Sequence, residues 1–450
     1  MGLARILRFK PKSNSPAGED RSQPLRKLAE ICRELLLDSD GISGASRAME
    51  AVRLYESLDK PNRIGFFDLL LGEFSPSPEV VGRAADDYRQ NPSPANLKRL
   101  QHVVEPPRQE LFRRLNMATG GTRTLIEMRA LALAELDAHK EFEPIAADLG
   151  HLFASWFNSG FLTLQQIDWR SPAVILEKLI AYEAVHQIQG WTDLRRRLEA
   201  DRRCYGFFHS ALPNEPLIFI EVALTRGMSE NIHPLIDPDA AVGDPGSADS
   251  AIFYSITNCQ PGLRGVPLGS SLIKRVVEDL RKSLPGLKTF ATLSPIPGFR
   301  KWLMRERNNA GSPLADVLAE PETQSVMTLL ESQQPSETEW TPEQRQRLIA
   351  LCAWYLLHVK RDAEPLDPVA RFHLRNGARI DRINWMGDPS ATGIRQSAGI
   401  MANYVYELDD LQRNHELYTA GKICSSSRME RLPKQLNRNK NPNWLSRHFL

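Results

Sequence analysis

Apolar residues recur at spacings of three and four through the first third of the chain. Leu25, Leu28, Ile31, Cys32 and Leu35 form one such stripe, the pattern of a helix with one face turned to a core. From about residue 25 to residue 186 nearly every segment repeats the pattern in different residues, including helices expected over 124–136 and 172–184. The breakers SPSP (75–78), PSP (92–94), TGGT (119–122) and Ser171-Pro172 separate them, and no repeat of fixed period is visible. A helical bundle without a reactive constellation reads as a scaffold or an assembly surface.

Beyond Gly190 the periodicity shortens. PLIFIEVALT (216–225) and AIFYSITN (251–258) are short β-branched and aromatic runs, the character of buried strands. The Pro-, Gly-, Asp- and Ser-rich stretch 233–250 reads as a loop between them. Residues 320–344 are polar and breaker-bearing, as in an insertion. Thr341 as N-cap and Pro342 as first helical residue then start an apolar helix containing residues 348–357. Helices followed by alternating strands and helices predict an α+β chain: an all-helical bundle domain over 23–188 and an α/β domain over 189–450.

Residues 251–299 read as strand, glycine-bearing turn (CQPGLRGVPLG), helix and strand (LKTFATLS). The helix is expected to be capped by Ser270 and to carry Leu272, Ile273, Val276, Val277, Leu280 and Leu284 on one face. Such a unit aims backbone N–H groups and a helix N-terminus at one place, where an anion should sit. Gly262, Gly265 and Gly269 allow close approach, and Arg264 adds a charge able to pair with phosphate. The glycine spacing fits neither the Walker nor the Rossmann pattern. On spacing alone, a plain turn joining strand to helix is the better explanation.

Composition narrows the class. A chain of 450 residues with 42% hydrophobic content is more than one core needs, which points to two domains. Lysine plus arginine (57) nearly balances aspartate plus glutamate (55), so no overall field selects nucleic acid or an anionic membrane. Five scattered cysteines without a CxxC pair argue against a disulfide scaffold or structural zinc and for a reducing compartment. The apolar run 217–224 is interrupted by Glu221 and is far too short to span a bilayer. Arg5, Arg8, Lys10 and Lys12 precede the first acid, Glu19; residues 1–22 are read as a disordered basic tail, with a transit peptide as the alternative. Ile6 breaks the myristoylation pattern.

The run FYSITNCQPGLRGVPLGSSLIKRVVEDL, followed by FATLSPIPGFRKWL, closely resembles the CoA-binding core of malonyl-CoA decarboxylases. HLRNGARIDRINWMGDPSATGIRQSAGIMANYVYEL resembles that family's second signature, and YEAVH and RRCYGFFH upstream also look like family sequence. The helical half fits only by general character. The resemblance implies a catalytic domain of the GNAT (acyl-CoA N-acyltransferase) type, and conversion of malonyl-CoA to acetyl-CoA and carbon dioxide without biotin or metal. It further implies a homotetramer built as a dimer of dimers. It assigns the CoA pyrophosphate to the loop Leu263, Arg264, Gly265, Val266, Pro267, Leu268 and Gly269. Several relatives carry an acid where this chain has Pro267, so no carboxylate role is expected there. The chain ends His448-Phe449-Leu450 rather than Ser-Lys-Leu, and a cytoplasmic location is expected.

Decarboxylation leaves an electron pair on the α-carbon, which the thioester carbonyl holds as an enolate. It needs a positioned carboxylate, a donor for the oxyanion and an acid for the carbon. Ser294 ends the strand reading LKTFATLS before the rigid Pro295-Ile296-Pro297-Gly298. Alone it reads as a turn residue; the resemblance makes it the serine that orients the malonyl group. His373 is placed on a helix of about two turns between the Asp367-Pro368 cap and the Asn376-Gly377 stop. Alone it reads as a structural histidine; the resemblance makes it the general acid. Tyr406 matches a tyrosine near the family's active site, and packing beside Tyr404 explains it as well. Ser255, His209 and Cys259 read as strand and loop filling, since no Ser-His-Asp order with a GxSxG elbow is present. The alternatives are a GNAT-type acyltransferase, against which SPIPGF and HLRNGA speak, and a non-enzymatic CoA-sensing scaffold.

Overall fold

The computed structural model describes residues 23–37, 41–266, 268, 272–309, 311–331 and 339–437. The expected basic tail, the Ser270 cap, Pro267 and Gly269 of the loop, and the C-terminal tripeptide lie outside the described residues. The chain is α+β, with helices first and a mixed sheet with helices afterwards.

Contacts divide the chain into two compact units. The first comprises Met1–Thr163, Phe208–Leu217 and Asn258–Leu268; the second comprises Leu164–Phe207, Ile218–Thr257 and Gly269–Leu450. This division differs from the expected boundary after residue 188, because 162–167 is a strand of the sheet and two later segments count with the helices.

In the helical unit the breakers act as helix starts. Ser77 and Ser93 are N-caps, accepting from the amides of Val80 and Asn96, and Pro78 and Pro94 follow as first helical residues. Proline is tolerated there because its missing N–H has no intrahelical partner. Gly120, at φ +84°, precedes helix Gly121–Glu135. The stripe read from Leu28, Ile31, Cys32 and Leu35 is buried in helix Gln23–Leu37, while Leu25 lies at its partly exposed end.

The sheet strands are β1 (Leu162–Ile167), β2 (Arg202–His209), β3 (Pro216–Thr225), β4 (Ser250–Asn258), β5 (Thr289–Thr292), β6 (Ser294–Pro295), β9 (Arg379–Asn384) and β10 (Met401–Val405). A separate ribbon is formed by β7 (Lys360–Arg361) and β8 (Glu364–Pro365). The sheet order is β1-β2-β3-β4-β5-β10-β6, with β9 also paired to β10. The β4 and β5 strands run parallel, Ile252 opposite Ala291, joined through helix Leu272–Ser283. Ala223, Ile232, Leu235, Ile252, Tyr254, Ala291, Leu293, Met401 and Val405 pack as one apolar cluster. Among the described residues no helix is long and apolar enough to cross a membrane.

Three readings change. β1 was hidden in a region that reads as helix; its burial is confined to its two ends, so no strand-like alternation signals it. Residues 233–250 contain a short helix, His233–Ile236, besides loop. The supposed insertion contains helix Pro321–Glu331, which buries Thr323, Val326, Met327 and Leu330.

Candidate active site

The sequence places Ser294 at the end of one strand, LKTFATLS. The structure instead ends β5 at Thr292 and starts β6 at Ser294, both beside β10. Val405 of β10 faces Ala291, and Ala402 faces Ser294. The β9–β10 register shifts between Asn403 and Tyr404, the kind of bulge that re-aims groups beside a site. There the Asn403 side-chain amide donates to the Thr292 carbonyl, and the Tyr404 backbone N–H donates to Thr292 Oγ1.

His373 stands on helix Pro368–Arg375, as its flanking residues imply. Asp367 caps the helix through one carboxylate oxygen, which accepts from the amides of Val369 and Ala370. Burial pushes the Asp367 carboxyl up to about 6. The imidazole lies against the Tyr404 ring, centroids 4.6 Å apart and planes at 27°, and is 3% exposed.

Ser294 and His373, 79 positions apart in the chain, meet: Ser294 Oγ is 3.1 Å from His373 Nε2. The other ring nitrogen, Nδ1, is 2.7 Å from the Tyr406 hydroxyl. Ser294 Oγ also donates to Thr292 Oγ1 at 2.8 Å. With Ser294 donating to Thr292, one arrangement of protons satisfies all three contacts. Ser294 has one proton and gives it to Thr292, so its oxygen must accept from Nε2–H. Burial pulls the imidazole pKa down to about 3, so near neutrality the ring is uncharged and carries one N–H. Nδ1 is therefore bare and accepts from Tyr406, whose hydroxyl burial holds in its protonated form by pushing its pKa well up. The resulting chain runs Tyr406 to His373 to Ser294 to Thr292. It presents an N–H and a hydroxyl side by side, which suits oxyanion stabilisation and proton delivery. It does not suit a nucleophilic serine, since that would need Nε2 as acceptor.

The described part of the expected anion loop, residues 263–266 and 268, lies in the helical unit. The N–H groups of Leu263, Arg264, Val266 and Leu268 bond to Gln260, Pro261, Leu263 and Val266 carbonyls within the turn itself. Of the described loop residues, only Gly265 keeps an unengaged N–H, at φ +79°. Among the described loop residues the amides are thus largely engaged within the turn. Gly262 has another function: a Cβ there would collide with the Ile126 carbonyl oxygen, so the glycine lets the turn sit directly on helix Gly121–Glu135.

Among the other candidates, Ser255 donates to the buried Glu183 carboxylate, which also accepts from Thr257 and from the amides of Val185 and His186. The YEAVH stretch is thereby tied to β4. His209 packs edge-on against Phe157, and Cys259 is buried. Thr292 and the stacking role of Tyr404 escaped the sequence reading. Thr292 stands two positions before Ser294, a strand-like spacing that could have singled it out.

The sequence profile of the malonyl-CoA decarboxylase C-terminal domain matches residues 160–443, and that of the malonyl-CoA decarboxylase N-terminal domain matches residues 74–157. The mitochondrial malonyl-CoA decarboxylase of Anser anser anser is 39% identical over 350 residues, 73% of this chain and 69% of the relative. That of Rattus norvegicus is 38% identical over 351 residues, 73% of this chain and 71% of the relative. The crystal structure of malonyl-CoA decarboxylase from Rhodopseudomonas palustris superposes with a TM-score of 0.85 at 44% identity, covering 90% of this chain and 99% of that one. The enzyme from Agrobacterium vitis gives 0.83 at 43% identity, with the same coverage.

Proposed function

Because the chain belongs to the malonyl-CoA decarboxylase family, we propose that it is a carboxy-lyase converting malonyl-CoA to acetyl-CoA and carbon dioxide, with Ser294 orienting the malonyl group and His373 protonating the enolate. The observation that carries the residue roles is the buried contact between Ser294 Oγ and His373 Nε2. It supports a single place where a hydroxyl and an imidazole act on one acyl group.

In the proposed reaction the bond between the α-carbon and the carboxylate breaks, and carbon dioxide leaves. The electron pair remains on the α-carbon, delocalised onto the thioester oxygen. Ser294 turns its hydroxyl from Thr292 toward the malonyl carboxylate or the developing oxyanion. A donor preset at that position favours the transition state, where the charge is largest. Turnover consumes one proton. The free imidazole is neutral, but the substrate's negative charge beside it favours the charged ring. His373 then gives Nε2–H to the α-carbon and returns to neutrality. Tyr406, bonded to Nδ1, keeps the ring oriented in both states and acts as a positioning residue. The CoA pyrophosphate is assigned to residues 263–269. The reading also carries over a dimer-of-dimers assembly and a cytoplasmic location.

Purified protein given malonyl-CoA, with no biotin, metal or acceptor amine added, should release carbon dioxide and accumulate acetyl-CoA in equal amounts. Product that appears only when an amine or a malonate-carrier protein is supplied would replace this reading with acyl transfer.

A further inference from the structure

Thr292, to which Ser294 gives its proton, is itself held by a buried amide. Asn403, on β10, is fully buried. Its Oδ1 accepts from two β9 side chains, Arg382 Nε at 3.1 Å and Asn384 Nδ2 at 2.8 Å. Its Nδ2 donates to the carbonyls of Thr292 at 2.6 Å and Ser229 at 3.1 Å. A guanidinium only donates and a carbonyl only accepts, so the amide cannot be turned over without setting donor against donor. Arg382 is held in turn by the Glu230 carboxylate and by the carbonyls of Met228 and Ser229.

This amide accounts for the place where β5 gives way to β6. Val405 faces Ala291 and Ala402 faces Ser294, so the register runs through both strands without an inserted residue. Just beyond β10, the Tyr406 N–H donates to the Phe290 carbonyl at 2.8 Å. Alternation along an antiparallel pair then makes the Tyr404 N–H and the Thr292 carbonyl the next partners. Instead the carbonyl is taken by Asn403, and the Tyr404 N–H by Thr292 Oγ1. The Thr292 hydroxyl is thereby held where Ser294 Oγ reaches it at 2.8 Å, and the serine stands 3.1 Å from His373 Nε2.

We propose that Asn403 is a positioning residue for the reaction: by holding the Thr292 carbonyl it turns the Thr292 hydroxyl toward Ser294 and sets the serine's place beside His373. The inference rests on the reading that Ser294 and His373 act on the malonyl group. With both of its N–H groups and both lone pairs of its oxygen occupied, Asn403 bonds to neither side chain, and its effect passes through Thr292.

The test compares malonyl-CoA turnover by the full-length protein, Asn403→Asp, Ser294→Ala and the double variant. Asn403→Asp keeps an acceptor oxygen facing Arg382 and Asn384 but sets a second oxygen against the Thr292 carbonyl. It should lower kcat about tenfold or more and change KM by less than about twofold. In the Ser294→Ala background the same substitution should lower kcat by less than about twofold, because the group it positions is gone. An unchanged kcat, or an equal fall in both backgrounds, would make Asn403 a structural residue alone and overturn the proposal. A second readout needs no turnover and decides the matter where Ser294→Ala is too slow to compare. In the free protein the nitrogen-15 signal of His373 Nε2 should move on Asn403→Asp, and a signal that stays in place overturns the proposal as well. Should Asn403→Asp not fold, Asn403→Ala, which removes the same donor without adding a charge, is put through both comparisons with the same outcomes. Because the spectrum is read without substrate, a protein in which the signal moved but which released no carbon dioxide would refute the decarboxylase reading and not this one.

Discussion

Replacing His373 with Ala is expected to lower kcat by at least about a hundredfold, the low end for losing a general acid, while CoA binding stays within a few-fold of wild type. Two contributions fall together in that variant. In the proposed reaction the α-carbon loses its proton donor, and Ser294 loses its contact with Nε2. His373→Gln separates them, because a glutamine amide can still donate to Ser294 but cannot deliver a proton. His373→Gln is expected to remain as slow as His373→Ala. Recovery to within about tenfold of wild type would show that the imidazole only positions the serine. The ring packs on Tyr404, so thermal unfolding of both variants must be measured beside the rates. A loss of activity that tracked a loss of folded protein would not count as catalytic.

Gly262→Ala is expected to damage substrate binding without touching the catalytic residues. A single methyl at 262 meets the Ile126 carbonyl oxygen and carbon, which are backbone atoms of helix Gly121–Glu135 and cannot swing aside as a side chain would. Overpacking of this kind costs about 1–3 kcal/mol and displaces backbone. The carbonyl of residue 262 would move off Arg129, to which it now bonds at 2.6 Å. KM for malonyl-CoA should rise at least about tenfold, corresponding to about 1.4 kcal/mol, with kcat less affected, and the melting temperature should fall. A variant with unchanged KM would mean that the turn is not part of the substrate site.

The sequence speaks clearly where structure is local and less clearly where it depends on pairing. Helix Pro342–His358 begins at Thr341 with a capping box closed by Gln344, and helix Pro368–Arg375 is delimited by Asp367, Pro368 and Asn376; both are legible because cap chemistry involves only neighbours. β3 and β4 are legible because strands buried on both faces read as continuous apolar runs. The division of LKTFATLS into β5 and β6 is not, since it is caused by β10, more than a hundred residues onward, whose register shift occupies Thr292. The same distance hides the proton chain: Ser294, His373 and Tyr406 are recognisable from the motifs around them, but not the direction of each hydrogen bond, which depends on Thr292. In the loop, the packing of Gly262 on helix Gly121–Glu135 and the turn's use of the N–H groups of residues 263, 264, 266 and 268 are not announced by the glycine spacing.

The central claim is that the acyl end of malonyl-CoA meets His373 and changes its charge. Nitrogen-15 spectra of histidine-labelled protein, with the His373 signals identified by subtracting those of His373→Gln, test it directly. In the free protein the ring should remain neutral from about pH 8 to pH 5, protonated on Nε2 and bare on Nδ1, since its pKa lies near 3. A malonyl-CoA analogue with a sulfonate in place of the carboxylate cannot lose carbon dioxide, and on binding it should shift the ring toward the doubly protonated form. A ring that titrates near its ordinary value in the free protein, or that does not respond to the bound analogue, would contradict the account.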